Sequence, residues 1–201
     1  MRFALLVLSL VLMPVAAFAV ETPAGQEHVG ADKIVRGTFN EQHQLQGVAQ
    51  PMLTSGTFVV APAKGLIWEM QMPMQTTTII MADKAVQDFG GLPMKLSAKN
   101  LKHLYDMVGH ALAGDWSGLE EDFVIRPSGG AGHWQMVLTP KPEAKAAKHY
   151  SAITVNGGKF LDKIVMTDVD GTSDTIMFSD VVMSPAVLTP KEQAFFTEAA
   201  M

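Results

Sequence analysis

Residues 151–182 read SAITVNGGKFLDKIVMTDVDGTSDTIMFSDVV. Three runs rich in apolar residues, Ser151–Val155, Phe160–Thr167 and Thr175–Val182, are separated by Asn156-Gly157-Gly158 and by Asp170-Gly171. Asn-Gly and Asp-Gly accept the positive φ values of tight hairpin turns, so the stretch predicts three antiparallel strands in a meander. Working outward, Phe123–Arg126 and Trp134–Leu138 flank Ser128-Gly129-Gly130-Ala131-Gly132 and add two strands. Thr139–Lys148 carries prolines and reads as an exposed loop. Earlier, Gly56 precedes Thr57-Phe58-Val59-Val60, Pro62-Ala63-Lys64-Gly65 makes a turn, Leu66–Met74 follows as a strand, and Gly90-Gly91-Leu92-Pro93 breaks the chain.

One segment departs from the strand rhythm. Leu101, Leu104, Tyr105, Val108 and Leu112 recur at helical spacing, with Ser97 placed as N-cap and Gly114 as C-cap. A shorter helix is expected from Pro190, ahead of Ala194-Phe195-Phe196. The expected fold is therefore α+β: a curved antiparallel sheet with a helix laid across its apolar face. A sheet with one apolar face must bury it, and a single helix covers only part. The remainder would form an apolar trough suited to a ligand.

The start of the chain has the form of an export signal: Met1-Arg2, an apolar run from Phe3 to Val15, and small residues at Ala17 and Ala19. Residues 1–19 are expected to be cleaved, leaving Val20 as the N-terminus of a soluble periplasmic protein. The alternative, an uncleaved anchor, is disfavoured because the run falls short of the roughly 20 residues that span a bilayer. Val20–Lys33 is polar and Gly-rich and is expected to be poorly ordered, with a single domain over 34–201. The chain has no cysteine, which excludes disulfides, thiolate metal sites and cysteine nucleophiles. The formal net charge is −5, and Arg36 and Arg126 are the only arginines after Arg2. No basic stripe for nucleic acid is present. Methionine is abundant, at 14 residues, and this flexible thioether is favoured where varied apolar ligands must be accommodated.

Strict alternation over Leu66-Ile67-Trp68-Glu69-Met70-Gln71-Met72-Pro73-Met74 puts Leu66, Trp68, Met70, Met72 and Met74 on one face. That face is either ordinary core or a pliable wall for an acyl chain. With Phe39 and Phe58 it forms the candidate cavity wall, and Leu101, Leu104, Tyr105 and Val108 form the candidate lid. A Cu(I) site of Met70, Met72 and Met74 is the metal alternative, since soft thioethers select that ion; the favoured reading needs no metal or cofactor. His103 and His110 lie seven apart on the expected helix, the wrong spacing for a one-turn chelate. Asp168, Asp170 and Asp174 surround a glycine turn without the later Glu of a calcium loop. Glu120-Glu121-Asp122 reads as a solvated acidic turn. Hydrolase, zinc-protease and Walker signatures are missing, and nothing orients a base toward Ser128. An envelope enzyme acting on a lipid-like substrate remains the rival class to a carrier.

Val35-Arg36-Gly37-Thr38-Phe39-Asn40-Glu41-Gln42, Ser55-Gly56-Thr57-Phe58, Gly65-Leu66-Ile67-Trp68-Glu69 with Pro73, Trp134-Gln135-Met136-Val137-Leu138-Thr139-Pro140-Lys141 and the hairpin within Ile164–Phe178 resemble, in order, the periplasmic outer-membrane lipoprotein carriers, the LolA-like proteins. The resemblance spans about Lys33 to Pro185. It implies an incomplete antiparallel β-barrel whose concave apolar face is covered by a helical lid. It also implies a lipoprotein or lipid-like cargo, an inner-membrane donor, an outer-membrane acceptor, and a monomeric, non-enzymatic carrier. In better-known carriers an arginine before the first-hairpin proline latches the lid; the matching residue here is Ala61, before Pro62.

Overall fold

The computed structural model describes residues 23–90, 93–95 and 107–200. The signal segment 1–19, the N-cap Ser97, the lid residues Leu101, Leu104 and Tyr105, and His103 lie outside the described residues.

Eleven strands form one sheet among the described residues: β1 (Lys33–Gln44), β2 (Met52–Ala61), β3 (Gly65–Met72), β4 (Thr76–Ile80), β5 (Ala85–Asp88), β6 (Pro93–Lys95), β7 (Phe123–Gly130), β8 (His133–Pro140), β9 (Tyr150–Gly157), β10 (Leu161–Asp168) and β11 (Ser173–Pro185). The order across the sheet is β6-β5-β4-β3-β2-β1-β11-β10-β9-β8-β7, and every neighbouring pair is antiparallel. Two meanders thus meet where the first strand pairs with the last, along Lys33↔Pro185 through Gln44↔Ser173. The sheet curves but does not close, and β6 and β7 are its edge strands among the described residues. This is an incomplete antiparallel barrel. Among the described residues helices are few: α1, described over 107–113, α2 (Leu119–Asp122) and α3 (Pro190–Ala200), plus a 3₁₀ turn at Lys145–Lys148.

Alternation gives the sheet two apolar faces. Leu66 and Trp68 join Phe39, Phe58, Met136, Ile153, Ile164 and Phe178 in one buried cluster on the trough face. Ile67, between them, points the other way and joins Ile34, Val59, Ala61, Ile79 and Val86, which Phe196 and Ala199 of α3 cover. Burying both faces explains why β4 was not foreseen. Its Thr-Thr-Thr-Ile-Ile is buried at every position and shows no polar alternation to read.

Three other expectations are corrected. Over residues 23–33 the N-terminal segment is packed down: Val29 is buried, and its N–H donates to the Ala113 carbonyl at 2.8 Å. Thr139–Lys148 is only partly a loop, because Ala144 and Ala146 are buried around the 3₁₀ turn. The strand expected to reach Met74 ends at Met72.

Candidate functional site

The trough wall is built around two glycines. Gly37 and Gly56 leave gaps in the pleated surface, and aromatic rings lie across them. A methyl group on Gly37 would come within 2.7 Å of the Phe58 ring, and one on Gly56 within 2.9 Å of the Phe39 ring. Gly56 has a second constraint, since its methyl would overlap the Glu69 carbonyl. With the rings laid flat, Phe39 stacks on Trp68 at a centroid distance of 3.9 Å and 24° between planes. Phe178 meets Phe58 edge-on at 5.5 Å. All four rings are buried, so the centre of the trough is filled by aromatic packing in this state.

The expected wall residues do not all share this face. Phe39, Phe58, Leu66 and Trp68 lie in the trough cluster. Met70 pairs with Gly56 and is half-buried. Then the register shifts: Met72 pairs with Ser55, the very next residue of β2. Consecutive residues of β2 alternate faces, so the bulge at Gln71 sends Met72 to the face opposite Met70. Met72 is 64% exposed, and Met74, beyond the strand, is 63% exposed. On the trough face the row of five is therefore a row of three, with Met70 and Met72 on opposite faces of the sheet.

Helix α1 lies over the hairpin end of the trough. Val108, Ala111 and Leu112 are buried in the trough cluster, and Gly109 brings the helix close to the Leu66 side chain. Its C-terminal turn is held by the N-terminal segment, an anchor the sequence did not announce. The Gln26 amide donates to the Ala111 carbonyl at 3.1 Å and accepts from the Trp116 indole at 2.7 Å. Together with the Val29 bond to Ala113, these contacts satisfy carbonyls that a helix end leaves unpaired. Gly114, at φ 69°, ends the helix as expected.

Beside α1 opens a cleft of about 440 Å³. Val29, Val60, Leu66, Ile80 and Ala113 line its depth, and Lys64, His110 and Asp115 stand among its polar lining. The volume is in the usual range for small-ligand pockets, and the mix of apolar wall and few polar groups is typical of them. Burial opposes the charge on Asp115, but bonds from the Ser117 hydroxyl and backbone N–H and from His110 outweigh it and hold its carboxyl below the ordinary range. Ala61, before Pro62, is buried on the outer face under α3, not in this cleft.

At the far end of the trough face sits a polar group. The Thr54 hydroxyl donates to Glu41 at 2.7 Å, and His43 bonds Asp174 across the β1–β11 seam. Burial is the main cause that raises the Glu41 pKa, with the nearby Asp174 charge adding to it. Asp168 and Tyr150 are raised as well, again chiefly by burial. The described residues hold no cluster of three or more His, Asp or Glu side chains suited to a metal ion. Ser128, His133 and Asp162 share a shallow hollow of about 300 Å³, yet no hydrogen bond among the described residues joins them into a relay.

The sequence profile of the family described as outer membrane lipoprotein carrier protein LolA-like matches residues 25–193. The chain belongs to this LolA-like family. Solved structures similar to the LolA-like chain include a LolA superfamily protein from Nitrosomonas europaea, at 11% identity and a TM-score of 0.46, covering 81% of this chain and 90% of that one. A putative outer membrane lipoprotein-sorting protein domain from Vibrio parahaemolyticus gives 11% identity and a TM-score of 0.44, covering 86% and 92%. A DUF1329 family protein from Desulfovibrio piger gives 10% and 0.42, covering 84% and 91%. No curated protein matches the LolA-like chain. No helix of its described residues is long and apolar enough to cross a membrane.

Proposed function

We propose that this LolA-like protein is a periplasmic carrier that shelters the acyl chains of a lipoprotein or related amphiphile and passes them to an outer-membrane acceptor. One observation carries the reading: the trough wall is wholly apolar and aromatic at its centre, lies under a helix whose C-terminal turn is fastened by the N-terminal segment, and is continuous through Leu66 with the 440 Å³ cleft. An acyl chain would enter at the cleft and compete with α1 for the trough surface. Each buried methylene contributes about 0.8 kcal/mol, so even partial entry retains a cargo until an acceptor offers a deeper site. No bond is made or broken, so the carrier needs no catalytic group. Mass spectrometry of the protein isolated under mild conditions from its native envelope tests this. A co-purifying acylated molecule, displaced by a fluorescent fatty-acyl probe, is the expected result. A protein that carries nothing and takes up no probe overturns the reading.

A further inference from the structure

Eight of the thirteen exposed large apolar side chains among the described residues sit at one end of the sheet, on three adjacent hairpins. Val48, Met52 and Leu53 belong to the β1–β2 hairpin, Met72 and Met74 to β3–β4, and Met94 to β5–β6; they are 47–64% exposed. The segments that bear them carry no charge. Residues 44–63, 70–82 and 89–94 contain no Asp, Glu, Lys, Arg or His. The neighbouring connections at the same end are the opposite. The β10–β11 turn is flanked by Asp168, Asp170 and Asp174, and the β8–β9 connection carries Lys141, Glu143, Lys145 and Lys148. One end of the sheet is thus divided into an uncharged half with several exposed apolar side chains and a charged half, in whose β10–β11 turn Val169 is exposed among aspartates.

We propose that the three uncharged hairpin tips dock on the interfacial zone of a lipid bilayer. A protein partner usually meets charges that set the register, and the tips themselves carry none; the nearest, His43 opposite Met52 and Asp88 opposite Pro93, lie behind them on the strands. Three separate turns bearing flexible thioethers suit a surface without a fixed shape. Apolar side chains enter the headgroup–acyl boundary without needing charge attraction. The contact would stop there, because hairpin backbone groups cannot be left unpaired deeper in hydrocarbon. The charged half of the rim would stay in water and fix the tilt. The cleft opens at the other end of the sheet, beside the β2–β3 and β4–β5 turns, so docking by these tips would leave its mouth away from the bilayer. The docking rests on the tips alone and not on the carrier reading.

The absence of native cysteine makes the test direct. The full chain is given one thiol, Met74→Cys or, at the opposite end of the sheet, Val187→Cys, and each is labelled with a polarity-sensitive dye. Phosphatidylcholine–phosphatidylethanolamine vesicles should shift the emission of the label at 74 to the blue and leave the label at 187 unchanged, equally at low and high salt. The double variant Val48→Asp/Leu53→Asp should weaken vesicle binding by roughly tenfold or more while melting like the parent, since both sites are exposed. Uptake of a soluble acyl probe without vesicles is measured in parallel and reports on the carrier reading alone. A silent label at 74, or undiminished vesicle binding by the double variant, overturns the proposal. So does a parent that is dimeric by sedimentation, with a monomeric variant and no vesicle contact; the tips would then join two copies of the chain.

Discussion

Trp68 is buried with the Phe39 ring stacked on it, while Met72, four residues along the same strand, is mostly in water. Truncating the first should cost about 3–5 kcal/mol, the range for a buried aromatic. Truncating the second should stay within about 0.5 kcal/mol. Urea titration of Trp68→Ala and Met72→Ala checks both, and comparable losses would contradict the bulge at Gln71. That bulge is where residue-level reading of the sequence stopped. Leu66, Trp68 and Met70 follow plain alternation, but an inserted residue leaves no mark in a run where Gln71 and Met72 are both tolerated at a strand end. Glu41 makes a second prediction. Its folded pKa lies above the unfolded value, so protonation favours the fold, and stability falls as pH rises from the ordinary carboxylate range through that raised value. At neutral pH the charge is a net cost. Glu41→Gln keeps an acceptor for Thr54 and should raise the melting temperature at pH 7 while changing little well below pH 4.

Among elements, α1 and α3 are held in different ways. Gly109 of α1 has room for a methyl group, which would sit 3.7 Å from Leu66 in ordinary contact. Alanine there should gain about 0.5–1 kcal/mol by reducing the freedom of the unfolded chain. If α1 competes with cargo, Gly109→Ala should also slow acyl-probe uptake in stopped-flow fluorescence; unchanged uptake in a stabilised variant would separate the helix from the entry route. The outer helix is fixed by charge. Glu192 accepts two bonds from Arg36, both at 2.7 Å, and a third from the Thr189 N–H, while the Thr189 hydroxyl accepts from the Glu192 N–H to complete a capping box. A second pair, Lys191 with Glu69 at 2.6 Å, lies beside it. The Arg36 hydrogen bond is the main cause that holds the Glu192 carboxyl below the ordinary range. The stabilisation is therefore complete above the unfolded pKa and lost as pH falls through the depressed value. Arg36→Gln should cost about 1–2 kcal/mol at neutral pH and flatten that acid limb of the stability profile. The described end of α1, with Val108, Leu112 and the stop at Gly114, and the start of α3 at Pro190 were legible in the sequence. What fastens them was not, because Gln26 and Arg36 lie roughly 85 and 156 residues from their partners and no local pattern links them.

For the molecule as a whole, the hairpin glycines and alternating runs were enough to anticipate a single curved antiparallel sheet. They did not show how its halves join. A meander is local information, whereas the pairing of β1 with β11 connects the two ends of the described chain. That seam has a consequence for synthesis. Translation proceeds from the N-terminus, so β1 can pair with β2 early but offers a bare edge until residues 173–185 have emerged. Any product interrupted before Ser173 would display an open template for aggregation. The same feature divides the molecule naturally in two. A fragment ending after Lys95 and another beginning before Met107 each hold one complete meander, and the missing partner of each is the seam strand of the other. Mixed from denaturant, the two pieces should reassemble into one sheet, while either alone should aggregate; co-elution on size exclusion with restored Trp fluorescence would show it.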